Sequence, residues 1–496
     1  MGRTAGARTM PLPLPITEYR DLPVTVMGLG RFGGGLGAVK FLIDRGARVT
    51  VTDLRPQSQL AESLREFDAR QLVRLQCGGH VEADFAEARL VVVNPAVKPD
   101  CPWLQHIRER EIPRTSENNL FWHHNRGRVI GVTGSNGKST TTALIAHLLR
   151  NAGRTVHLGG NIGGSLLSIV DTIQPTDWVV LELSSFQLAD LNRIEASPEI
   201  AVVTNFAPNH LDWHSDLDDY RRAKQAILRW QAPSSTAVLN RDDPDVCRWT
   251  TLGRVWMFGH EASRADAASS QIVVTGTDLH IDDASVPTST ETISLSGQFP
   301  LPGEHNAMNV AAAICAVRAA GVNTEQITPA LKTFQGLPHR LEHVATVDGR
   351  TFYNDSLATT PESAICALRA FPGRVLLLAG GYDKHVDLTT FASEAARRCF
   401  AIAWMGQTAT QLRAMAAGVT ESAPSQRITF SLREAFDWLW ELSQPGDTIL
   451  LSPACASFDW FLNFADRGEQ FRECVHEKSR AIAESQPGPS HPTSPE

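Results

Sequence analysis

Gly131-Val132-Thr133-Gly134-Ser135-Asn136-Gly137-Lys138-Ser139-Thr140 joins the apolar run Arg128–Thr133 to the helix-compatible run Thr140–Leu149. A glycine turn between a strand and a helix lets backbone N–H groups point inward at phosphate oxygens, and the helix N-terminus adds partial positive charge. In such a loop the lysine, Lys138, reaches the β and γ phosphates, and Ser139 or Thr140 ligates Mg²⁺. Gly134, Ser135, Asn136, Gly137, Lys138, Ser139 and Thr140 are therefore the candidate ATP-binding residues. The spacing is shorter than the usual G-x-x-x-x-G-K-[ST], because Gly134 and Gly137 enclose only Ser135 and Asn136. A plain connecting turn is the alternative; the Gly-Lys-Ser-Thr ending in a strand-to-helix context argues against it.

Working outward, Trp178–Glu182 and Ile200–Thr204 read as buried parallel strands of the same sheet, whereas the Ser/Thr/Asp-rich stretch Ala262–Phe299 reads as an excursion of hairpins and loops. Upstream, strand Val24–Gly28, helix Ala38–Ile43 and strand Ala47–Thr52, ending at Asp53, make a βαβ unit, with Leu90–Val93 as a later parallel strand. Gly28-x-Gly30-x-x-Gly33 with Asp53 twenty residues on fits a dinucleotide fingerprint, which the diphosphate of a UDP-linked molecule satisfies as well as NAD does. A second nucleotide loop downstream argues against an NAD oxidoreductase. Near the C-terminus, Thr351–Asn354, Arg374–Leu378, Ala401–Trp404 and Thr448–Leu451 are spaced by helix-length segments, as in another doubly wound sheet.

At 496 residues the chain is long enough for roughly three domains. The expected division is α/β throughout: a Rossmann-like domain over 1–115, a P-loop parallel-sheet domain over 116–336, a second Rossmann-like domain over 337–485, and a disordered Pro/Ser-rich tail over 486–496. With 42 % hydrophobic and 20 % charged residues the composition is that of a globular enzyme. A net charge of −8 leaves no global basic field for nucleic acid or an anionic membrane. Eight scattered cysteines without a C-x-x-C pair argue against a disulfide framework and for a reducing cytoplasm. Met1–Pro15 lacks the apolar core of a signal peptide, and no apolar run reaches the roughly 18 residues of a spanning helix.

Beyond the phosphate loop a series of motifs runs through all three segments. It comprises Gly159-Gly-Asn161-Ile-Gly163, Leu181-Glu182-Leu-Ser184-Ser-Phe-Gln-Leu188, Asn209-His210-Leu-Asp212, Tyr220-Arg-Arg-Ala-Lys224 and Gly303-Glu-His-Asn306-Ala-Met-Asn309. Later come Gly336-Leu-Pro-His-Arg340, Asn354-Asp355-Ser356, Gly380-Gly-Tyr-Asp-Lys384 and Leu451-Ser-Pro-Ala-Cys-Ala-Ser457-Phe458-Asp459, with Phe464 beyond. Over roughly residues 22 to 480 the chain resembles the Mur ligase family, in particular its glutamate-adding members. The resemblance implies an ATP-dependent ligase that adds D-glutamate to UDP-N-acetylmuramoyl-L-alanine through an acyl phosphate, releasing ADP and phosphate. L-glutamate or another amino acid is the alternative acceptor. It also implies two Mg²⁺ ions, small-molecule partners alone, a monomer, and closure of the domains over the substrates.

The resemblance distributes roles as follows. Lys138, Glu182, His210 and Lys224 are catalytic; Ser139, Glu182, His210 and Lys224, the last as its carbamate, hold metal. By periodicity alone Lys224 is a solvated lysine on an amphipathic helix, and Glu182 an ordinary strand-end carboxylate. His214, four residues after His210, is assigned to local structure. Asn309 and Arg340 face the nucleotide and Asp355 its ribose. Lys384 and Thr359 hold the acceptor's side-chain carboxylate, with Ser457, Phe458 and Phe464 beside it, while Gly30, Arg31, Phe32, Asp53, Arg55, Asn94, Asn161 and Ser184 bind the UDP-linked substrate. Two positions depart from the family pattern: Asn209 stands where an acidic residue is common, and Leu357 where a lysine is common.

Overall fold

A computed structural model describes residues 16, 18–30, 34–209, 213–260, 270–284, 290–296, 299, 301–420 and 423–485. These fall into two compact units, the described residues of Met1–Ser294 with Asn309–Ala330, and those of Leu295–Met308 with Leu331–Glu496. Arg31, Phe32, His210, the N-terminal leader and the tail over 486–496 lie outside the described residues.

The first unit holds two sheets. β1 (Pro23–Met27), β2 (Arg48–Asp53), β3 (Arg74–Cys77), β4 (Leu90–Val93) and β5 (Arg114–Thr115) are all parallel, in the order β3-β2-β1-β4-β5. Val24, Val26, Val49, Val51 and Val91 are buried, as the inner strands of a parallel sheet covered on both faces must be. The helix Gly34–Asp44 buries Ala38, Val39, Phe41 and Leu42, and trimming a residue such as Phe41 to alanine would cost about 3–5 kcal/mol.

The second sheet comprises β6 (Arg128–Thr133), β7 (Val156–Gly160), β8 (Trp178–Glu182), β9 (Ile200–Val203), β10 (Thr236–Asn240), β11 (Arg254–Gly259), β12 (Ser270–Thr275), β13 (Asp278–Asp282) and β14 (Glu291–Ser294). Its order is β14-β13-β12-β11-β10-β9-β6-β8-β7, with only the β12–β13 and β13–β14 pairings antiparallel. The stretch read as an excursion of hairpins therefore extends the central sheet. Ile272, Val274, Leu279, Ile281 and Ile293 are buried, and alternation with polar neighbours makes each of these strands half-buried, so the polar composition that suggested loops belongs to their other face. Tyr19, Phe41, Leu120, Phe121, Leu167, Val170 and Ile173 lie in one apolar cluster with residues of both sheets.

The second unit holds β15 (Glu342–Val347), β16 (Arg350–Asn354), β17 (Val375–Gly380), β18 (Cys399–Met405), β19 (Ser425–Ile428) and β20 (Thr448–Leu451), in the order β15-β16-β20-β17-β18-β19. Only β15 runs antiparallel to its neighbour. The sequence pattern announces the four inner strands; β15 and β19 are edge strands, half-exposed and without an apolar run. Among the described residues no helix is long and apolar enough to cross a membrane, and all eight cysteines are free.

Candidate active site

The phosphate loop leaves β6, whose neighbours in the sheet are β8 and β9. Parallel strands deliver their C-terminal ends to one edge, where ligands of open α/β sheets bind. Glu182 ends β8, in register with Val132, and Thr204 and Asn205 follow β9, whose Val203 is in register with Thr133. The loop is shaped by its glycines. Gly134 (φ +152°) leaves no room for a Cβ, which would lie 1.9 Å from Thr204 Oγ1, and a Cβ on Gly137 (φ +80°) would lie 2.3 Å from Asn309 Oδ1. Asn205 Oδ1 accepts from the N–H groups of Ser135 (3.1 Å) and Asn136 (2.8 Å), and Thr204 Oγ1 donates to Asn136 O at 2.6 Å. Sequence reasoning passed over Asn205; its signal was its position, just past a strand adjacent to the loop strand.

Lys138 opens the helix Lys138–Asn151 and donates from Nζ to the carbonyls of Gly134 (3.0 Å) and Ser135 (2.9 Å). Lys224 lies on the helix Leu217–Arg229, only 2 % exposed, and donates to Gly134 O (2.7 Å) and Thr133 Oγ1 (3.3 Å). It is therefore not the solvated lysine that periodicity suggests. Burial, reinforced by the Lys138 charge and opposed by Glu182, holds its ammonium well below the ordinary lysine range. Glu182 is 1 % exposed; Oε1 accepts from Asn161 Nδ2 at 3.0 Å, and Oε2 is buried without a partner. A buried, unpartnered carboxylate oxygen beside a phosphate loop fits a hard cation such as Mg²⁺. Among the described residues no three His, Cys, Asp or Glu side chains gather into a metal nest, so Ser139, Glu182 and Lys224 are the described members of the expected set. His214 bonds Asp219 (3.0 Å) and Ser185 (2.9 Å), as local structure requires. Asn309 Oδ1 accepts from Thr141 Oγ1 at 3.4 Å, close over the loop.

A cavity of about 780 Å³ opens beside the first sheet, and its lining includes Gly30, Asp53, Arg55, Asn94, Asn161 and Ser184. The described residues expected to bind the UDP-linked substrate thus line one cavity. Their roles differ. Asp53 is occupied internally: Oδ2 accepts from the N–H groups of Leu29 (2.9 Å) and Gly30 (3.3 Å), and Oδ1 from Arg55 N (2.9 Å), so it shapes the glycine turn. Asn94 Nδ2 donates to Gly28 O at 3.3 Å. Arg55 Nη1 is buried without a partner, which leaves a donor for a ligand's anionic or carbonyl oxygen. Ser184 caps the helix Ser185–Leu191 through Gln187.

In the second unit, β16, β20 and β17 are adjacent, and their C-terminal ends lead into Asp355, the Ser452–Ser457 loop and the loop bearing Lys384. Asp355 is fully buried, accepting from Leu341 N (3.1 Å) and Ser452 Oγ (2.8 Å). Burial pushes its carboxyl up to about 7 against the pull of Ser452 and of the Arg340 charge. Arg340 Nε is itself buried without a partner. Arg467, absent from the sequence reading, is the organiser here: fully buried, it donates to Ser356 Oγ (3.0 Å), Ser356 O (2.9 Å), Cys455 O (3.1 Å) and Ala456 O (3.3 Å). It thereby fixes the loop carrying Ser457, which is buried, while Phe464 O accepts from Ser356 Oγ at 2.7 Å. Lys384 and Phe458 are exposed and Thr359 half-buried.

A glycine-lysine loop at the end of a central parallel strand, faced by a buried carboxylate, defines a P-loop nucleotide-binding protein. Residues 23–115 match the family described as Mur ligase MurD-like, N-terminal domain, residues 132–317 the Mur ligase middle domain, and residues 339–455 the Mur ligase, glutamate ligase domain. Relatives named UDP-N-acetylmuramoylalanine–D-glutamate ligase include that of Acidobacterium capsulatum, 36 % identical over 92 % of this chain and 97 % of its own, and that of Symbiobacterium thermophilum, 38 % identical over 91 % and 97 %. Among solved structures, the UDP-N-acetylmuramate-alanine ligase MurC of Thermotoga maritima superposes with a TM-score of 0.58 at 17 % identity, covering 92 % of this chain and 99 % of that one; the pseudomurein peptide ligase type C of Methanothermus fervidus gives 0.54 at 16 %, covering 92 % and 99 %. These two likenesses concern the fold alone. This chain belongs to the Mur ligase family.

Proposed function

We propose that this chain is an ATP-dependent ligase that joins D-glutamate to UDP-N-acetylmuramoyl-L-alanine, a step of peptidoglycan precursor synthesis. The names borne by relatives that match nearly the whole chain support this reading. The single observation that carries the chemistry is the convergence of Lys138, Glu182 and Lys224 on one phosphate loop. Residues 116–336 bind ATP, 1–115 carry the UDP-linked substrate, and 337–485 bring the amino acid.

The loop's N–H groups and Lys138 hold the triphosphate so that the substrate carboxylate attacks the γ phosphorus and ADP leaves. The glutamate amine then attacks the acyl phosphate carbon, and phosphate departs with the C–O bond. Both transition states gather negative charge, which fixed cations stabilise. Glu182, Ser139 and His210 would hold Mg²⁺, which would supply that charge, and two ions are expected. Lys224 would complete the shell once modified: its amine, which burial biases toward the neutral form, would add to CO₂ with loss of a proton, and the carbamate would carry the negative charge a metal needs. Arg340, Asp355 and Asn309 hold the nucleotide; Lys384, Thr359, Ser457, Phe458 and Phe464 receive the amino acid, Lys384 as the cation for its side-chain carboxylate. The enzyme acts as a monomer in the cytoplasm.

The test is product analysis. ADP and phosphate, never AMP and pyrophosphate, are expected only when UDP-N-acetylmuramoyl-L-alanine and D-glutamate are both present, and Lys138→Ala lowers kcat on the order of 10³-fold. Equal turnover with L-glutamate, or an undiminished Lys138→Ala protein, overturns the proposal.

A further inference from the structure

The cavity beside the first sheet carries an acidic group that the chemistry above does not use. Glu117, the first residue of the helix Glu117–His124, lines the same space as Gly30, Arg55, Asn94 and Asn161. Its backbone is fixed by the cap that Ser116 Oγ makes with Asn119 N at 3.3 Å. One carboxyl oxygen is also fixed: Ser165 Oγ donates to Oε1 at 2.5 Å while accepting from Leu167 N at 3.3 Å. Room for this arrangement comes from Gly37, where a Cβ would stand 2.2 Å from Ser165 Oγ. Three segments thus cooperate to present one side chain to the cavity.

Among the described residues Ser165 is the hydrogen-bond partner of Glu117, and no Lys, Arg or His is paired with it. Burial accordingly pushes its carboxyl up to about 7, with only the Ser165 bond opposing. A carboxyl held in a recess with one oxygen bonded and no cation costs free energy unless a ligand supplies a partner. A diphosphate is not that partner, because like charges repel. The nucleotide end of the cavity has Arg55 and the glycine turn, and Asn161 reaches toward Glu182. What remains between is a position for a neutral polar group.

We infer that Glu117 is a specificity-determining residue of this cavity: its second carboxyl oxygen hydrogen-bonds a hydroxyl or amide of the sugar and acyl portion of the UDP-linked substrate, while Ser165 anchors the first. The inference rests on the proposed UDP-linked substrate and assigns a contact to its middle.

Calorimetric titration of the full chain with UDP and with UDP-N-acetylmuramoyl-L-alanine tests it, with thermal melts run alongside. Glu117→Leu is expected to weaken the full substrate roughly tenfold or more and UDP by less than about twofold, since only the longer molecule brings the polar group that would be left unmatched. Glu117→Gln, which keeps the Ser165 bond and a polar group facing the cavity, stays within about threefold of the parent for both ligands. A Glu117→Leu protein that binds the full substrate within about twofold of the parent, or loses UDP equally, overturns the contact. A parent protein that binds the full substrate no better than UDP would instead sink the proposed activity, and this inference with it.

Discussion

The phosphate-loop edge of the second sheet and the edge of the third proposed to receive the amino acid handle charge in opposite ways. Around the loop, Glu182 and Lys224 are 1 % and 2 % exposed and tied to the backbone or to Asn161. At the ends of β16, β17 and β20, Lys384 is exposed, as are Tyr382, Phe458 and Leu462 at 39 %, 61 % and 82 %. A charge that must stabilise a transition state is worth most when already desolvated and oriented, and that requires burial supported by a large core. Lys384, proposed to receive the amino acid, is exposed, although partial desolvation holds its ammonium below the ordinary lysine range. What is buried beneath the acceptor edge is Arg467, which holds the loop rather than the ligand. One region is preorganised in its functional groups; the other is preorganised in its scaffold.

The largest effect that can break this contrast is at Lys224. Lys224→Ala should lower kcat on the order of 10²- to 10³-fold with little change in KM, and intact active enzyme kept in ¹³C-bicarbonate should show a carbamate carbon signal by NMR that the Lys224→Ala protein lacks. Full activity with an unmodified Lys224 would leave the buried amine as mere packing. An intermediate effect is expected at the acceptor edge. Lys384→Ala should raise KM for D-glutamate by roughly 10- to 100-fold, the loss of one charge-assisted contact, while leaving KM for ATP and for the UDP-linked substrate alone. A matching rise in KM for ATP would erase the division drawn between the two edges.

The smallest effect sharpens the comparison through pH. Asp355 has a folded-state value of about 7, above the ordinary 3.8. The stability it contributes is therefore complete below about pH 4 and lost as pH rises through about 7. Asp355→Asn, which does not titrate, should show a melting temperature that gains on the parent by about 2–4 °C between pH 5 and pH 8. A pH-independent difference would mean that Asp355 is ionised throughout and satisfied by its neighbours.

Residue patterns alone announced the inner strands of the first and third sheets and β6, β8 and β9 of the second, because fully buried parallel strands such as Trp178–Glu182 and Val375–Gly380 must be continuous apolar runs. They missed the edge strands β3, β5, β7, β15 and β19 and the inner pair β10 and β11, whereas the hairpins expected over 262–299 are present as β12 to β14, joined to the central sheet. The phosphate loop was legible since its chemistry is local, a few glycines and a lysine in a row. Asn205, Glu117 and Arg467 were not, because each acts on residues far along the chain: Asn205 on the loop 69 positions away, and Arg467 on Ser356 across 111. Asp53 was placed at its cavity by the fingerprint, yet its bonds to the turn amides were visible only in the structure.

The sequence by itself determined the nucleotide loop, the α/β class and the ordered motifs that mark the family, since these depend on neighbours in the chain and on apolar periodicity. Only the tertiary structure decided which charges are buried and what faces them. Lys224 reads as a solvated surface lysine until the helix Leu217–Arg229 packs on the loop and strips it of water. Glu117 carries no motif in the sequence, and only in the fold do Gly37 and Ser165 close around it. Desolvation and partner geometry are set by packing between distant segments, which no local pattern encodes.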